Sequence, residues 1–307
     1  DEGVELRQNG IQKPILVFGG FSNEQAYDLI INNLELTIAS LSSARFVEEL
    51  CQKSNLSCNV HIKIDTGMNR IGIRPDDALE LINYVHNSGH MRLVGVYSHL
   101  SSSDKPEDDV TKEQISLFAK VAKQAKKINP EIICHLANSG GVCYYPDAYF
   151  DMVRPGILSY GYTPGWHAID PSLNQVRHCF SVKSQVIYFK VVAKNSGISY
   201  NHRYITPVQT RIATIPIGYG DGYRRLLSNC GEVLINGQKY VVSGIVCMDM
   251  IMVDIGHEGM VNVGDKVVLI GVDGSDEISL DSVAKKCNTI TYEILCGFSD
   301  RLPRVYI

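Results

Sequence analysis

The sequence predicts an α/β chain: part of a (β/α)8 barrel over residues 1–171, then a mostly antiparallel β domain over 172–307. Three observations carry that prediction. The first half alternates short apolar runs with amphipathic stretches, as βα units do when their parallel strands are covered on both faces. Polar and glycine residues recur where the apolar runs end, at Asp65-Thr-Gly67, His99, Asn138-Ser139 and Arg154. In a barrel such strand ends share one catalytic face. Past about residue 172 the texture changes to long β-rich runs separated by Gly, Asn and Asp turns. A doubly wound sheet would also use its strand ends, so the barrel is favoured without being forced. Only about six units are visible, and a complete barrel would need N-terminal units that the chain does not contain.

Each element has a local reason. Ile15–Phe18 is a buried-type strand, and Ser22 with Gln25 forms a capping box opening a helix through Ile31. Leu36–Ala39 is the next strand and Ser42–Lys53 the next helix; Val60–Ile64 is a third strand. Pro75 sits in the first turn of a helix running to about Asn87, and Leu93–Tyr97 is a strand. Thr111 and Gln114 read as a second capping box, opening a helix to about Lys127; Ile132–Leu136 and Met152–Val153 supply further strands. In the second half, Ser181–Val192, Arg211–Pro216, Lys239–Val246, Met250–Ile255 and Lys266–Ile270 read as strands. Asn236-Gly237 between two apolar runs is a hairpin signal. Helices from Ser279 to Cys287 and around Tyr292–Leu295 close the chain.

Bulk properties exclude several classes. A formal charge of −4 shows no basic bias, which argues against a nucleic-acid surface. Nine cysteines, an odd number without CxxC pairs and several inside apolar runs, read as reduced buried thiols of a cytoplasmic protein, with no zinc site. There is no apolar run of about 18 residues, so nothing in the chain spans or contacts a membrane. The opening Asp1-Glu-Gly-Val-Glu-Leu-Arg reads as mid-helix sequence, and we expect further chain upstream.

Two strand-end turns have the character of an anion cup. His135-Leu-Ala-Asn-Ser-Gly-Gly141 and Arg154-Pro-Gly-Ile157 both combine small polar residues with glycines whose amides can approach a phosphate closely. Ordinary strand-to-loop junctions would look the same.

Eight motifs in order resemble the alanine racemase family, pyridoxal-phosphate enzymes that pair a barrel with a C-terminal β domain. They are Lys63-Ile-Asp-Thr-Gly-Met-Asn-Arg-Ile-Gly72, Tyr97-Ser-His99, Asn138-Ser139, Arg154-Pro-Gly-Ile157, Ser199-Tyr200, Pro216-Ile-Gly-Tyr-Gly-Asp-Gly222, Cys247-Met-Asp249 and Arg301-Leu-Pro-Arg304. The resemblance implies racemisation of a small amino acid, L/D-alanine or L/D-serine, supplying D-amino acid for peptidoglycan precursors. It implies a homodimer whose active sites are shared across the interface. Inverting a carbon centre removes a proton from one face and returns one to the other, so two bases are needed. One is implied to be the lysine that carries the cofactor as a Schiff base, in a segment this chain does not contain; without it the chain alone should be inactive. The other is implied to be Tyr200, sustained as a phenolate by a network through His99 to Arg154.

By the same resemblance, Arg154 faces the pyridine nitrogen, and a guanidinium there only donates. Arg70 holds the substrate carboxylate, and Lys63 is a position often carbamylated. Asn138, Ser139, Gly156 and Ile157 surround the cofactor and its phosphate. Met248, with Asp249, belongs to a partner-subunit segment whose backbone amide meets the substrate carboxylate, and Tyr219 resembles an entrance-corridor tyrosine, though a β-turn aromatic would read the same. Asp300 stands where many members have a tyrosine, and a small polar residue there resembles the serine racemases associated with vancomycin resistance. Those are cytosolic parts of membrane proteins, which is the alternative to a free cytoplasmic enzyme. Two other readings stay open. A barrel amino-acid decarboxylase is opposed by Arg154 and Cys247-Met-Asp249. A non-catalytic cofactor-binding protein is opposed by the joint presence of Tyr200, His99, Arg70 and Arg154.

Overall fold

The computed structural model describes residues 1–165, 175–257 and 260–307, so the expected boundary between residues 171 and 172 lies outside them. Two compact units divide the chain, Asp1–Val176 and Arg177–Ile307.

In the first unit, α1 (Glu2–Gln8) and α2 (Asn23–Ile31) precede β1 (Leu36–Ile38), α3 (Leu41–Ser54), β2 (Cys58–Lys63) and α4 (Ala78–His86). These are followed by β3 (Met91–Tyr97), α5 (Asp109–Ile128), β4 (Ile133–His135) and α6 (Ser139–Tyr144). The strands pair in parallel in chain order, β1-β2-β3-β4. Parallel bridges Leu16↔Glu35 and His135↔Met152 extend that order by one position on each side. Strand order that never reverses belongs to the barrel; a doubly wound sheet would switch direction partway. The expected strand Ile15–Phe18 contributes only the bridge at Leu16.

The caps explain the helix starts. Ser22 and Gln25 make the expected reciprocal box at α2. At α3 the box belongs to Ser40 and Ser43, two residues before the expected start. At α5 the expected box is corrected: Asp108 is the cap, accepting from the Thr111 amide at 2.9 Å and its hydroxyl at 3.0 Å. An ionised carboxylate at a helix N-terminus also meets the helix dipole, an advantage over a neutral hydroxyl. Gln114 is thereby freed for another task.

Side chains alternate across each strand. One face presents Leu36, Ile38, Val60, Ile62, Val96 and Cys134, packed with Val47, Leu81, Ile82, Val85, Phe118 and Val121 of the helices. Each such fully buried aliphatic side chain contributes roughly 1.5–3 kcal/mol by leaving water. The opposite face is polar, with Glu35, Thr37, His61, Lys63, Tyr97 and His135 all less than a tenth exposed. Their alignment follows from register: Thr37 pairs with His61, Lys63 with Tyr97, and Tyr97 with His135.

The second unit is antiparallel throughout. It contains β5 (Val182–Gln185), β6 (Tyr188–Val192), β7 (Gly197–Ile198), β8 (Tyr204–Ile205), β9 (Thr210–Ile215), β10 (Glu232–Ile235) and β11 (Gln238–Val241). The remaining strands are β12 (Ile251–Asp254), β13 (Lys266–Asp273) and β14 (Asp276–Ile278), before α7 (Leu280–Lys286) and α8 (Thr291–Gly297). The sheets are β11-β10-β13-β14 with β5 on β13, then β12-β9-β6, then β7-β8. The expected strand Ser181–Val192 is two strands in two sheets, since β5 pairs with β13 and β6 with β9. Asn236 and Gly237, with φ of 53° and 75°, turn the β10–β11 hairpin as expected.

Candidate active site

The polar face of the first unit converges on Arg154. Its Nη1 donates to His135 Nδ1 at 2.7 Å, and its Nη2 donates to the carbonyls of Ser98 at 2.6 Å and Leu136 at 3.0 Å. Three fixed bonds aim the guanidinium from the loop after Met152. Burial pushes its pKa down to about 10, so it stays a cation at neutral pH. It reaches His99 as a nearby charge and through none of these three bonds. Burial first, then the Lys63, Arg154 and Arg70 charges, push the His99 pKa down to about 4, which leaves a neutral imidazole.

Behind Arg154 lies a buried chain of which only His135 falls in a stretch singled out from the sequence. His135 Nε2 meets His61 Nδ1 at 3.0 Å, and His61 Nε2 meets Glu35 Oε2 at 3.0 Å. The Tyr97 ring stacks on His135, 4.9 Å between centroids and 2° from parallel. Its hydroxyl lies 2.7 Å from Thr37 Oγ1. Lys63 Nζ sits 4.6 Å from the centre of the same ring, and the Arg154 guanidinium carbon 5.3 Å from it. Burial first, then Arg154 and Arg70, push the Lys63 pKa down to about 7. A sizeable fraction of that amine is therefore unprotonated at neutral pH.

Gln114, misread as a cap partner, joins two strand-end loops. Its Oε1 accepts from the Ser101 amide at 2.9 Å and the Ser101 hydroxyl at 3.0 Å; its Nε2 donates to the His99 carbonyl at 3.1 Å and, in the loop after β2, to Thr66 Oγ1 at 3.3 Å. Arg70 is exposed on the loop after β2, in an open cavity of about 540 Å³ lined in part by Asp65, Asn69, Arg74 and Leu117.

The two anion-cup turns do meet. Ser139 Oγ accepts from the Gly156 amide at 2.9 Å and the Leu158 amide at 3.3 Å, leaving its own proton to donate. Ile157 opens a short 3-10 turn whose first N–H groups have no partner within the turn. A Cβ built on Gly156 would meet nothing within 4 Å, so there is space beside that backbone. Asn138 is spent on shape: its Oδ1 accepts from the Gly141 amide at 3.0 Å and the Ser103 hydroxyl at 2.7 Å.

In the second unit, Tyr200 follows β7 on a turn where Ser199, Asn201 and His202 all have positive φ, and its side chain is 66% exposed. Left-handed backbone at three non-glycine residues costs free energy and is kept only where surrounding structure enforces it. Tyr219 and Met248 are exposed as well. Arg301 pairs with Asp249 at 2.6 Å and Asp221 at 3.4 Å. Asp300 is exposed.

Glu35 and His61 were missed because the strands were read as uniformly apolar; His135 was named only as the start of a turn, and Gln114, on α5, only as a cap partner. The signal was present in Val60-His61-Ile62-Lys63-Ile64, where polar residues alternate with aliphatic ones. That pattern denotes one polar face rather than two covered ones. No helix among the described residues is long and apolar enough to cross a membrane. Among them no cluster of His, Cys, Asp or Glu could hold a metal ion.

Comparison with known proteins agrees with this geometry. The family description "Alanine racemase, N-terminal domain" matches residues 1–164, and "Alanine racemase, C-terminal domain" matches residues 179–306. The chain is 40% identical over 308 residues to the alanine racemase of Halothermothrix orenii, covering 100% of this chain and 80% of that protein. It is 36% identical over 308 residues to that of Methanococcus maripaludis, covering 100% and 82%. Among solved structures, alanine racemase from Clostridium difficile 630 superposes with a TM-score of 0.92 at 36% identity, covering 100% of this chain and 79% of that one. The E. faecalis enzyme gives 0.90 at 34% identity, covering 100% and 82%.

Proposed function

The chain belongs to the alanine racemase family, and from that premise we propose how its residues interconvert L- and D-alanine, and L- and D-serine, with pyridoxal phosphate. The residues present fit the cofactor. Ser139 Oγ, which keeps its own proton to donate, and the Ile157 N–H border the open space beside Gly156, which suits a phosphate. When bound, the cofactor supplies an electron sink that acidifies the Cα–H of an amino acid joined to it.

The observation that carries the reading is Arg154, a half-buried cation held by three hydrogen bonds at a strand end. With the cofactor bound, Arg154 would face the ring nitrogen as a donor that keeps its proton, which would leave that nitrogen unprotonated and the electron sink shallow. A shallow sink favours rapid return of a proton to carbon over side reactions. Arg70 receives the substrate carboxylate. Tyr200, supplied by a second copy of the chain, moves the proton on one face, with neutral His99 accepting from its hydroxyl. Six exposed apolar side chains, Tyr200, Ile205, Val208, Tyr219, Met248 and Met250, support a homodimer that covers them.

Substrate choice rests on Asp300, whose exposed carboxylate is free of Arg301 and can accept from a serine hydroxyl. The test is an assay of the full-length protein with L-serine and L-alanine, following D-product, beside Asp300→Tyr. The substitution should move the kcat/KM ratio toward alanine; an unaltered ratio removes Asp300 from substrate choice, and no D-product from either substrate removes the function.

Lys63 is proposed to carry a carbamate. Its neutral amine bonds to the carbon of CO2 and one N–H proton leaves to solvent, turning a cation between Arg154 and Arg70 into an anion that orients Arg70. Isotope-labelled bicarbonate should give a carbamate carbonyl resonance that Lys63→Ala lacks. A spectrum without that resonance in the parent protein sinks the assignment.

A further inference from the structure

The four-residue chain from Glu35 to Arg154 has a property that its distances alone do not state: only one placement of its protons is permitted. Arg154 can only donate, so His135 Nδ1 must be a bare acceptor. His135 then carries its proton on Nε2 and donates to His61 Nδ1, and His61 donates from Nε2 to Glu35. Glu35 as a carboxylate can only accept, which closes the sequence. Adding a proton to either imidazole turns an N–H against another N–H and breaks a link.

We propose that Glu35 is a positioning residue that, through His61 and His135, holds both imidazoles as neutral Nε2–H tautomers and so fixes the Arg154 guanidinium in place. The chain climbs the polar face from the bridge below β1, through the middle of β2, to the end of β4 and the loop beyond. Glu35 therefore acts on the catalytic face from the far end of the strands, where a residue would otherwise be read as purely structural.

Two further features are built for this chain. A Cβ at Gly95 would lie 2.4 Å from His61 Nδ1, so glycine on β3 is what lets the His61 ring reach His135. Asn59 Nδ2 donates to the second Glu35 oxygen at 3.3 Å, which orients the carboxylate. All three members below Arg154 are buried, Glu35 at 7%, His61 at 2% and His135 at 0% exposure. Water does not compete for these bonds, and burial favours the neutral form of His135, as the proton arrangement requires.

The catalytic consequence rests on the role proposed for Arg154, whereas the proton arrangement rests on geometry alone. The experiment separates them. Heteronuclear NMR of the cofactor-loaded full-length protein, with isotope-labelled histidine, should show His61 and His135 protonated only at Nε2 at neutral pH. In Glu35→Gln the carboxamide can face His61 with its N–H, and in Glu35→Leu nothing accepts there. Both variants should give a second tautomer at His135 and a fall in kcat of about tenfold with KM little changed, the scale of one charge-assisted hydrogen bond. An Nδ1–H or doubly protonated ring in the parent protein overturns the proposal, and that measurement needs no variant. Unchanged His135 tautomers in both variants overturn it too. Tautomers that shift as expected while kcat stays constant support the relay and count against the role of Arg154.

Discussion

Tyr200→Phe in the full-length protein should lower racemisation by about 10²–10⁴-fold, the usual contribution of a positioned proton-transfer group, while pyridoxal phosphate remains bound. Phenylalanine keeps the ring and removes only the hydroxyl. Because the side chain is 66% exposed within its own chain, the change should leave the stability of the fold nearly untouched. A loss of rate would then report proton transfer and not unfolding. A free phenol is a poor base, so the proposed role of Tyr200 depends on the groups that would surround it in the proposed dimer. Neutral His99 suits that task, since an imidazolium would have no lone pair with which to accept. The readout is D-alanine formed from L-alanine, alongside the cofactor absorbance. Activity within twofold of the parent, with absorbance retained, would remove Tyr200 from the two-base scheme.

Stability should fall steeply as pH drops below about 6.5, because buried His135 and half-buried His99 are neutral in the fold and free to charge when unfolded. Burial is the leading cause at both, with neighbouring cations adding to it: His99 is pushed down to about 4 and His135 to about 2. The sign follows from proton counting. Between the unfolded value of about 6.5 and these folded values, the unfolded chain binds protons that the folded chain refuses. Stability is therefore complete above about 6.5 and is lost progressively toward about 4 for His99 and about 2 for His135. Each histidine contributes about 1.4 kcal/mol per pH unit across its window, so roughly 4 kcal/mol should be lost for the pair by about pH 5. That loss is a large part of the stability of an ordinary domain. Most carboxylates titrate lower, which leaves the interval between about pH 6.5 and 5 to the histidines. Urea midpoints measured across this interval should decline; a flat profile would mean that these imidazoles are not held neutral.

Much of the site was legible in the chain because its residues are local to motifs. Arg154, Gly156 and Ile157 are consecutive or nearly so, and although an ordinary strand-to-loop junction looks the same, their place in an ordered set of motifs singled them out. Ser139 was found the same way, and its contact with the Gly156 and Leu158 amides joined the two turns as expected. What escaped was non-local. Thr111 and Gln114 have the spacing of a capping box, yet Asp108 outcompetes them and Gln114 turns inward to the His99 carbonyl. The long run Ser181–Val192 carried no mark of its division between two sheets, because that division lies in the partners β13 and β9.

Alternating apolar runs, turn residues and strand-end polar groups pointed to an α/β unit, with a barrel favoured over a doubly wound sheet, and to an antiparallel β unit; the racemase reading came from the resemblance of eight motifs in order. Those properties depend on residues within a few positions of one another, where the period of a strand or helix acts directly. The chain from Glu35 through His61 and His135 to Arg154 was decided only in three dimensions. Alternation places each of these residues on the polar face, but which of them touch is set by register. Val60 pairs with Leu93 and His61 with Gly95, a one-residue irregularity at β3 that puts glycine opposite the His61 ring. Moving that irregularity by one residue would put a side chain there, close the space, and leave Arg154 without the bond that aims it.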